Sequence, residues 1–304
     1  MRKNRILTMM ITLVMTLLVV TGCASKEVTV KDREGREVKV PTKIQRIIST
    51  APSNTEVLVE LGLKDKIVAV DKYSQNIKQI NENIKKLDFM NPDAETIIGL
   101  KPDLIIASGH NKTQSGQDPF KAIEDAGIAV VYVPSSDSIK GIYDDIAFIA
   151  NITSTEKKGN DIISNMKKEI ASIKEISDKI PNKKKVYFEI GSQPNLFSFG
   201  NSTFLNEMID IAGGQNIFKD QKSWISPTAE SVLEANPDII LTNEGYVKDP
   251  VGTIKKRSGW ENVNAIKNGK VYMIDADSSS RPSQNVIKAL KEMAKAINPE
   301  NYDK

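Results

Sequence analysis

The stretch Pro92 to Ile106 reads PDAETIIGLKPDLII, and 135 positions later Pro227 to Leu241 reads PTAESVLEANPDIIL. Pro92/Pro227, Ala94/Ala229, Glu95/Glu230, Pro102/Pro237, Asp103/Asp238 and Ile105/Ile240 are identical, and the apolar positions between them are conservative. Each copy reads as a helix N-cap (Asn91, Ser226), a proline at the first helical position, a short helix, then Pro-Asp and an apolar strand. A chain that writes one helix-to-strand unit twice, so far apart, is expected to fold as two related α/β lobes. Glu95 and Glu230 fall near the start of their helices. A carboxylate there gains about 0.3–1 kcal/mol from the helix dipole, and the sequence offers no further reason by itself.

The rest of the chain keeps the same rhythm. EVTVKDREGREVKVP alternates valine with charge around Gly35 and predicts a β-hairpin. RIIS, KIVAVD, DLIIAS and IAVVYV follow as short apolar strands, each ending in polar residues. Between the first two lies a helix capped by Ser53 or Asn54, with Glu56 in its first turn. Strands alternating with helices imply parallel sheets covered on both faces. From Ser154 to Ile180 the isoleucines recur at three- and four-residue steps, with Met166 among them. That pattern predicts one amphipathic helix of about 27 residues and about 40 Å. After Lys185 the rhythm restarts in VYFEIG, DIILTN and VYMIDAD, and a last helix runs over 283–298. The expected divisions are 23–44 (N-terminus and hairpin), 45–152 (first lobe), 153–181 (linking helix) and 182–304 (second lobe).

Before residue 23 stand Arg2, Lys3 and Arg5, an apolar run from Ile6 to Val20, and Val-Thr-Gly-Cys. A charged start, a short apolar core and small residues mark a secretory signal over 1–22. The run is shorter than the roughly 20 residues a bilayer span needs. Cys23, the one cysteine, resembles the lipidated residue of a bacterial lipobox, which implies a lipid anchor on the outer face of the cytoplasmic membrane. A single cysteine also excludes an internal disulfide. Without residues 1–22 the chain has 39 Lys and Arg against 39 Asp and Glu. The missing basic excess argues against a nucleic-acid partner.

In order, VTVKDREGREVKVP, RIISTAPSNTEVLVELGLKDKIVAVDKYS, MNPDAETIIGLKPDLIIAS, FLNEMIDIAGGQNIF, SPTAESVLEANPDIILTN and SRPSQNVIKALKEMAKAINPE resemble class III substrate-binding proteins of bacterial ABC importers. The resemblance spans 27–300. It implies two lobes, each with a mostly parallel sheet flanked by helices, joined by one long rigid helix. It implies a monomeric receptor, not an enzyme, that delivers a ligand to a permease dimer with its ATPase subunits. It also implies that Glu95 and Glu230 dock on arginines of the two permease subunits. Ligands in the family are iron-siderophores, haem and cobalamin. An iron complex is the first expectation here and a corrinoid the alternative.

Paired α/β lobes hold ligands beyond the carboxyl ends of their strands. Those loops nominate Ser53, Asn54, Tyr73, Ser74 and His110 in the first lobe, and Phe199, Trp224, Tyr246 and Arg281 in the second. Aromatics, hydroxyls and one arginine suit a large planar or chelated ligand, with Arg281 as the grip for an anionic group. One histidine and no spare cysteine disfavour direct metal coordination, so a metal is expected only inside an organic chelate and no resident cofactor is expected. An exported enzyme would need a Gly-x-Ser-x-Gly elbow, a dinucleotide fingerprint or a phosphate loop, and the chain has none.

Overall fold

The computed structural model describes residues 26–111 and 118–302. The expected signal over 1–22 and Cys23 lie outside the described residues. The hairpin pairs β1 (Glu27–Lys31) with β2 (Glu37–Pro41), Val28 facing Val40 and Val30 facing Val38. Its turn uses Gly35 at φ +89°, where a glycine carries no side-chain penalty. The Asp32 carboxylate accepts the N–H groups of Arg36 and Tyr132 at 2.8 and 3.1 Å. The Arg36 guanidinium lies 4.5 Å from the centre of the Tyr132 ring. These contacts fix the hairpin to the edge of the first lobe.

That lobe runs β3 (Ile47–Ser49), α1 (Pro52–Glu60), β4 (Ile67–Asp71), β5 (Lys85–Leu87), α2 (Ala94–Gly99), β6 (Leu104–Ser108), α3 (Lys121–Asp125), β7 (Ala129–Val133) and α4 (Ile139–Ile152). Its sheet has the order β5-β4-β3-β6-β7, all parallel. Helix α5 (Glu156–Ser177) then leads to the second lobe. Here β8 (Lys184–Glu189), β9 (Ser198–Phe199), α6 (Phe204–Ile211), β10 (Gly214–Asn216), β11 (Trp224–Ile225) and α7 (Ala229–Ala235) come first. They are followed by β12 (Ile239–Thr242), α8 (Pro250–Lys255), α9 (Asn264–Lys267), β13 (Val271–Met273), α10 (Ala276–Ser280), α11 (Val286–Ile297) and α12 (Pro299–Tyr302). The second sheet is parallel in the order β10-β8-β12-β13.

Strand periodicity sorts the core. Ile47, Leu104, Ile106, Val131 and Val133 face inward with Val186, Phe188, Ile239 and Leu241 of the other lobe, in one continuous apolar cluster. The alternate residues Ile48, Ile105, Val130 and Tyr132 face outward under α2 and α3. Tyr187, Ile240 and Val271 do the same in the second lobe, beside Trp260. Sheet side chains alternate faces, so each parallel sheet is apolar on both sides.

The linking helix is shorter than its sequence pattern. It spans 22 residues, about 33 Å at 1.5 Å per residue. Ser154 at φ +55° breaks the helical path between α4 and α5, so 153–155 belongs to a turn. Met166 and Ile173 of α5 are buried. At Gly159 a Cβ would meet the Ala150 Cβ at 2.5 Å, so glycine sets the close crossing of α4 and α5. Two expected caps also move. Helix α1 begins after Ala51 with no side-chain cap, not at Ser53 or Asn54. In the repeat the caps are Asp93 and Thr228, two residues past Asn91 and Ser226. Each proline therefore precedes the cap instead of opening the helix.

Candidate functional site

Sheet order locates the site. In the first lobe the winding reverses between β3 and β6, and in the second between β8 and β12. Ligands of open α/β sheets bind outside the carboxyl ends of strands at such reversals. The loops after these four strands line one crevice of about 850 Å³ between the lobes. Ser53, Tyr73 and His110 contribute from one side; Asn243, Tyr246 and Arg281 contribute from the other.

Two phenol rings stand out into it. Tyr73 is 63% exposed and Tyr246 80%. Each is held from behind. The Asp71 carboxylate accepts the Tyr73 backbone N–H at 2.8 Å. The Tyr246 hydroxyl donates to the buried Glu244 carboxylate at 3.1 Å. Although the ring is exposed, loss of solvent around its hydroxyl and the Glu244 charge both raise the Tyr246 pKa, so the phenol stays neutral. Among the described residues the His110 ring makes no hydrogen bond; only its backbone N–H does, to Ser108.

Arg281 differs from expectation. Its guanidinium bonds Glu56 Oε1 at 2.9 Å and Asp277 Oδ1 at 2.8 Å, and it donates to the Tyr73 carbonyl at 3.3 Å. The Ser283 hydroxyl takes the other Glu56 oxygen, and Gln284 Nε2 donates to the Glu56 carbonyl at 3.2 Å. Glu56 and Arg281 are 225 residues apart and stand on opposite lobes. The arginine is thus a strut across the crevice floor, and two carboxylates already match its charge. Arg281→Ala leaves the buried Glu56 carboxylate with the Ser283 hydroxyl as its remaining partner among the described residues. The expected cost is about 3 kcal/mol, read as a lower urea midpoint at unchanged slope; a shift under about 0.5 kcal/mol would dismiss the strut.

Four nominated residues do not offer side chains to the crevice. Asn54 and Ser74 are buried; the Ser74 hydroxyl serves Asp71 and Thr55. Phe199 is wholly buried against Phe188, with ring centres 5.5 Å apart. Trp224 is half exposed but stacks on Phe197 at 6.0 Å and does not line the crevice.

The two repeat helices lie on the outer faces of the sheets. Residues 91–100 and 226–235 share one burial pattern, position for position. Ile97 and Val232 are buried anchors, Glu95 and Glu230 are exposed, and Ile98 and Leu233 are 37% and 36% exposed. The fold therefore presents the two carboxylates in matched settings.

Residues 47–278 match the family model described as periplasmic binding protein. The chain belongs to that family. A periplasmic binding protein is the solute receptor of a transporter and not an enzyme. The chain is 34% identical over 280 residues to an uncharacterized ABC transporter substrate-binding lipoprotein of Bacillus subtilis, covering 90% of this chain and 87% of that one. A solved structure from Staphylococcus epidermidis, described as a possible iron-binding periplasmic solute-binding protein, is 36% identical. It superposes with a TM-score of 0.75 over 84% of this chain and 99% of that one. A vitamin B12-binding protein of Vibrio cholerae is 26% identical over 257 residues, covering 83% of this chain and 89% of that one.

Within this periplasmic binding protein no group of three or more His, Cys, Asp or Glu able to hold a metal ion occurs among the described residues. No helix among them is long and apolar enough to cross a membrane. Sequence reasoning missed Glu56 and Asp277. The i,i+4 spacing of Asp277 and Arg281 was available as a signal; nothing local marked Glu56.

Proposed function

We propose that this protein captures a large, weakly charged metal-bearing organic complex, a corrinoid, and delivers it to the permease dimer of an ABC importer. One observation carries the choice. Arg281 is the one arginine or lysine lining the crevice among the described residues, and Glu56 and Asp277 already neutralise it. An anionic siderophore or a haem propionate would have to displace those carboxylates, whereas a corrinoid needs broad contact with rings such as Tyr73 and Tyr246. Relatives named for vitamin B12 support the same reading. The iron complex is the second reading, favoured by the description of the 36%-identical structure.

Calorimetry on the full chain in detergent, with cobalamin, haem and ferric catecholate and hydroxamate siderophores, tests the choice. Saturable one-to-one binding of cobalamin alone is expected. Binding of a ferric complex without cobalamin would overturn the corrinoid reading in favour of iron.

In this proposal Cys23 carries the lipid that holds the receptor at the outer face of the membrane, and Glu95 and Glu230 meet the two permease subunits. Cys23→Ser is expected to move the protein from the membrane fraction to the medium or periplasm. Unchanged retention would remove the lipid anchor.

A further inference from the structure

A second cavity lies beside the crevice in the first lobe. It has a volume of about 240 Å³ and lies beyond the ends of β3 to β6. It shares Ala51, Pro52, Tyr73, Ser108 and His110 with the crevice, so the two spaces adjoin along these residues. Leu87, Phe89 and Met90 supply its apolar lining. Phe89 is anchored in the outer core, while Met90 is 58% exposed.

The polar groups around it already have partners. Asn111 Oδ1 accepts from the Thr50 hydroxyl at 2.5 Å and from the Ser108 N–H at 2.8 Å. Asp71 is held by Ser74 and by the Tyr73 N–H. Lys72 pairs with Asp88 at 2.8 Å, its ammonium 5.3 Å from the centre of the Tyr73 ring. Among the described residues a guest with its own charge would find no unpaired counter-group there apart from the His110 ring. What the cavity offers is apolar surface, a ring face and one imidazole. A dry apolar cavity of about 150 Å³ suffices for benzene, so this one has room for two fused rings.

The geometry points to a subsite for an aromatic arm of one or two fused rings, carried by the ligand whose body fills the main crevice. This rests on the corrinoid reading for the body, but the arm has its own test. Wild-type protein is titrated with cobalamin, which carries a benzimidazole arm, and with cobinamide, which lacks it. The same titrations follow on Leu87→Trp, which fills the cavity, and on Met90→Trp at its exposed rim. Free 5,6-dimethylbenzimidazole is added separately, with methyl NMR of leucine and methionine as readout.

The wild type is expected to prefer cobalamin by at least about tenfold, the scale for placing apolar groups in a pocket. Both variants should lose that preference while keeping cobinamide affinity. Free dimethylbenzimidazole should shift the Leu87 and Met90 methyl signals saturably, and the Met90 shift should vanish in Leu87→Trp. Equal loss of both corrinoids in the variants, or no loss of either, would overturn the subsite. If neither corrinoid binds while the fragment still shifts both methyls, the corrinoid reading falls and the subsite stands. Absence of the fragment shifts would remove the subsite whatever the corrinoids do.

Discussion

Replacing Glu95 and Glu230 together by alanine is expected to abolish uptake and to leave ligand affinity unchanged, under the docking role proposed for them. The two carboxylates stand on the outer faces of the lobes, on helices α2 and α7, and not among the crevice residues. Their loss removes charge without touching the ligand. Truncating one partner of a desolvated charge pair costs roughly 2 kcal/mol at the low end. Two such losses weaken docking by about three orders of magnitude. Each single variant should retain part of the transport, and raised ionic strength should weaken wild-type docking in the same direction. The check is radiolabelled ligand uptake in cells, beside calorimetry on the purified variant. Normal uptake by the double variant would remove the docking role.

The largest expected loss of stability lies elsewhere, at Arg257→Met. The Arg257 guanidinium holds Glu189 through two parallel bonds of 2.6 and 2.7 Å, and both side chains are almost wholly buried. It also lies 4.4 Å from the centre of the Trp260 ring. Methionine fills similar space but strands a buried carboxylate, at a cost of about 3–5 kcal/mol. The effect has a pH signature. Burial, above all, raises the Glu189 pKa in the folded protein even with the arginine present. A raised carboxyl pKa means that the folded state binds the proton more tightly. Its contribution to stability is therefore full below the unfolded pKa and declines as pH climbs through the folded one. Removing Arg257 raises that pKa further and widens the window upward. The variant should thus lie farthest below wild type at neutral pH and recover part of the gap near pH 5. Urea unfolding at both values decides it, and a gap independent of pH would show that Glu189 is not the stranded charge.

The repeat, the hairpin and most strands were legible because they carry a regular pattern: alternation of valine and charge for β1 and β2, unbroken apolar runs ended by polar residues for β3, β6, β7 and β12, and a period near 3.6 for α11, whose Val286, Leu290, Met293 and Ile297 are all buried. What escaped has no period. The caps lie at Asp93 and Thr228 because the Asp93 carboxylate accepts from the N–H groups of Glu95 and Thr96, and the Thr228 hydroxyl from that of Ser231, which leaves each proline outside its helix. Phe199 was misplaced because β9 has two residues, too few to show which face is buried. The Glu56–Arg281 strut joins single polar residues from different lobes, so only three-dimensional packing reveals it. For the same reason Arg281 read as a free cation in the sequence and is a paired one in the fold.

The apolar cluster that runs through both sheets makes the two lobes one mechanical body. Pulling them apart would rupture a shared interior, not flex a joint, so heat should melt both lobes in a single calorimetric transition. Two resolved transitions would contradict this. A receptor built this way has little elastic travel of its own. If a permease docks on the two outer faces as proposed, emptying the crevice becomes work done from outside the receptor.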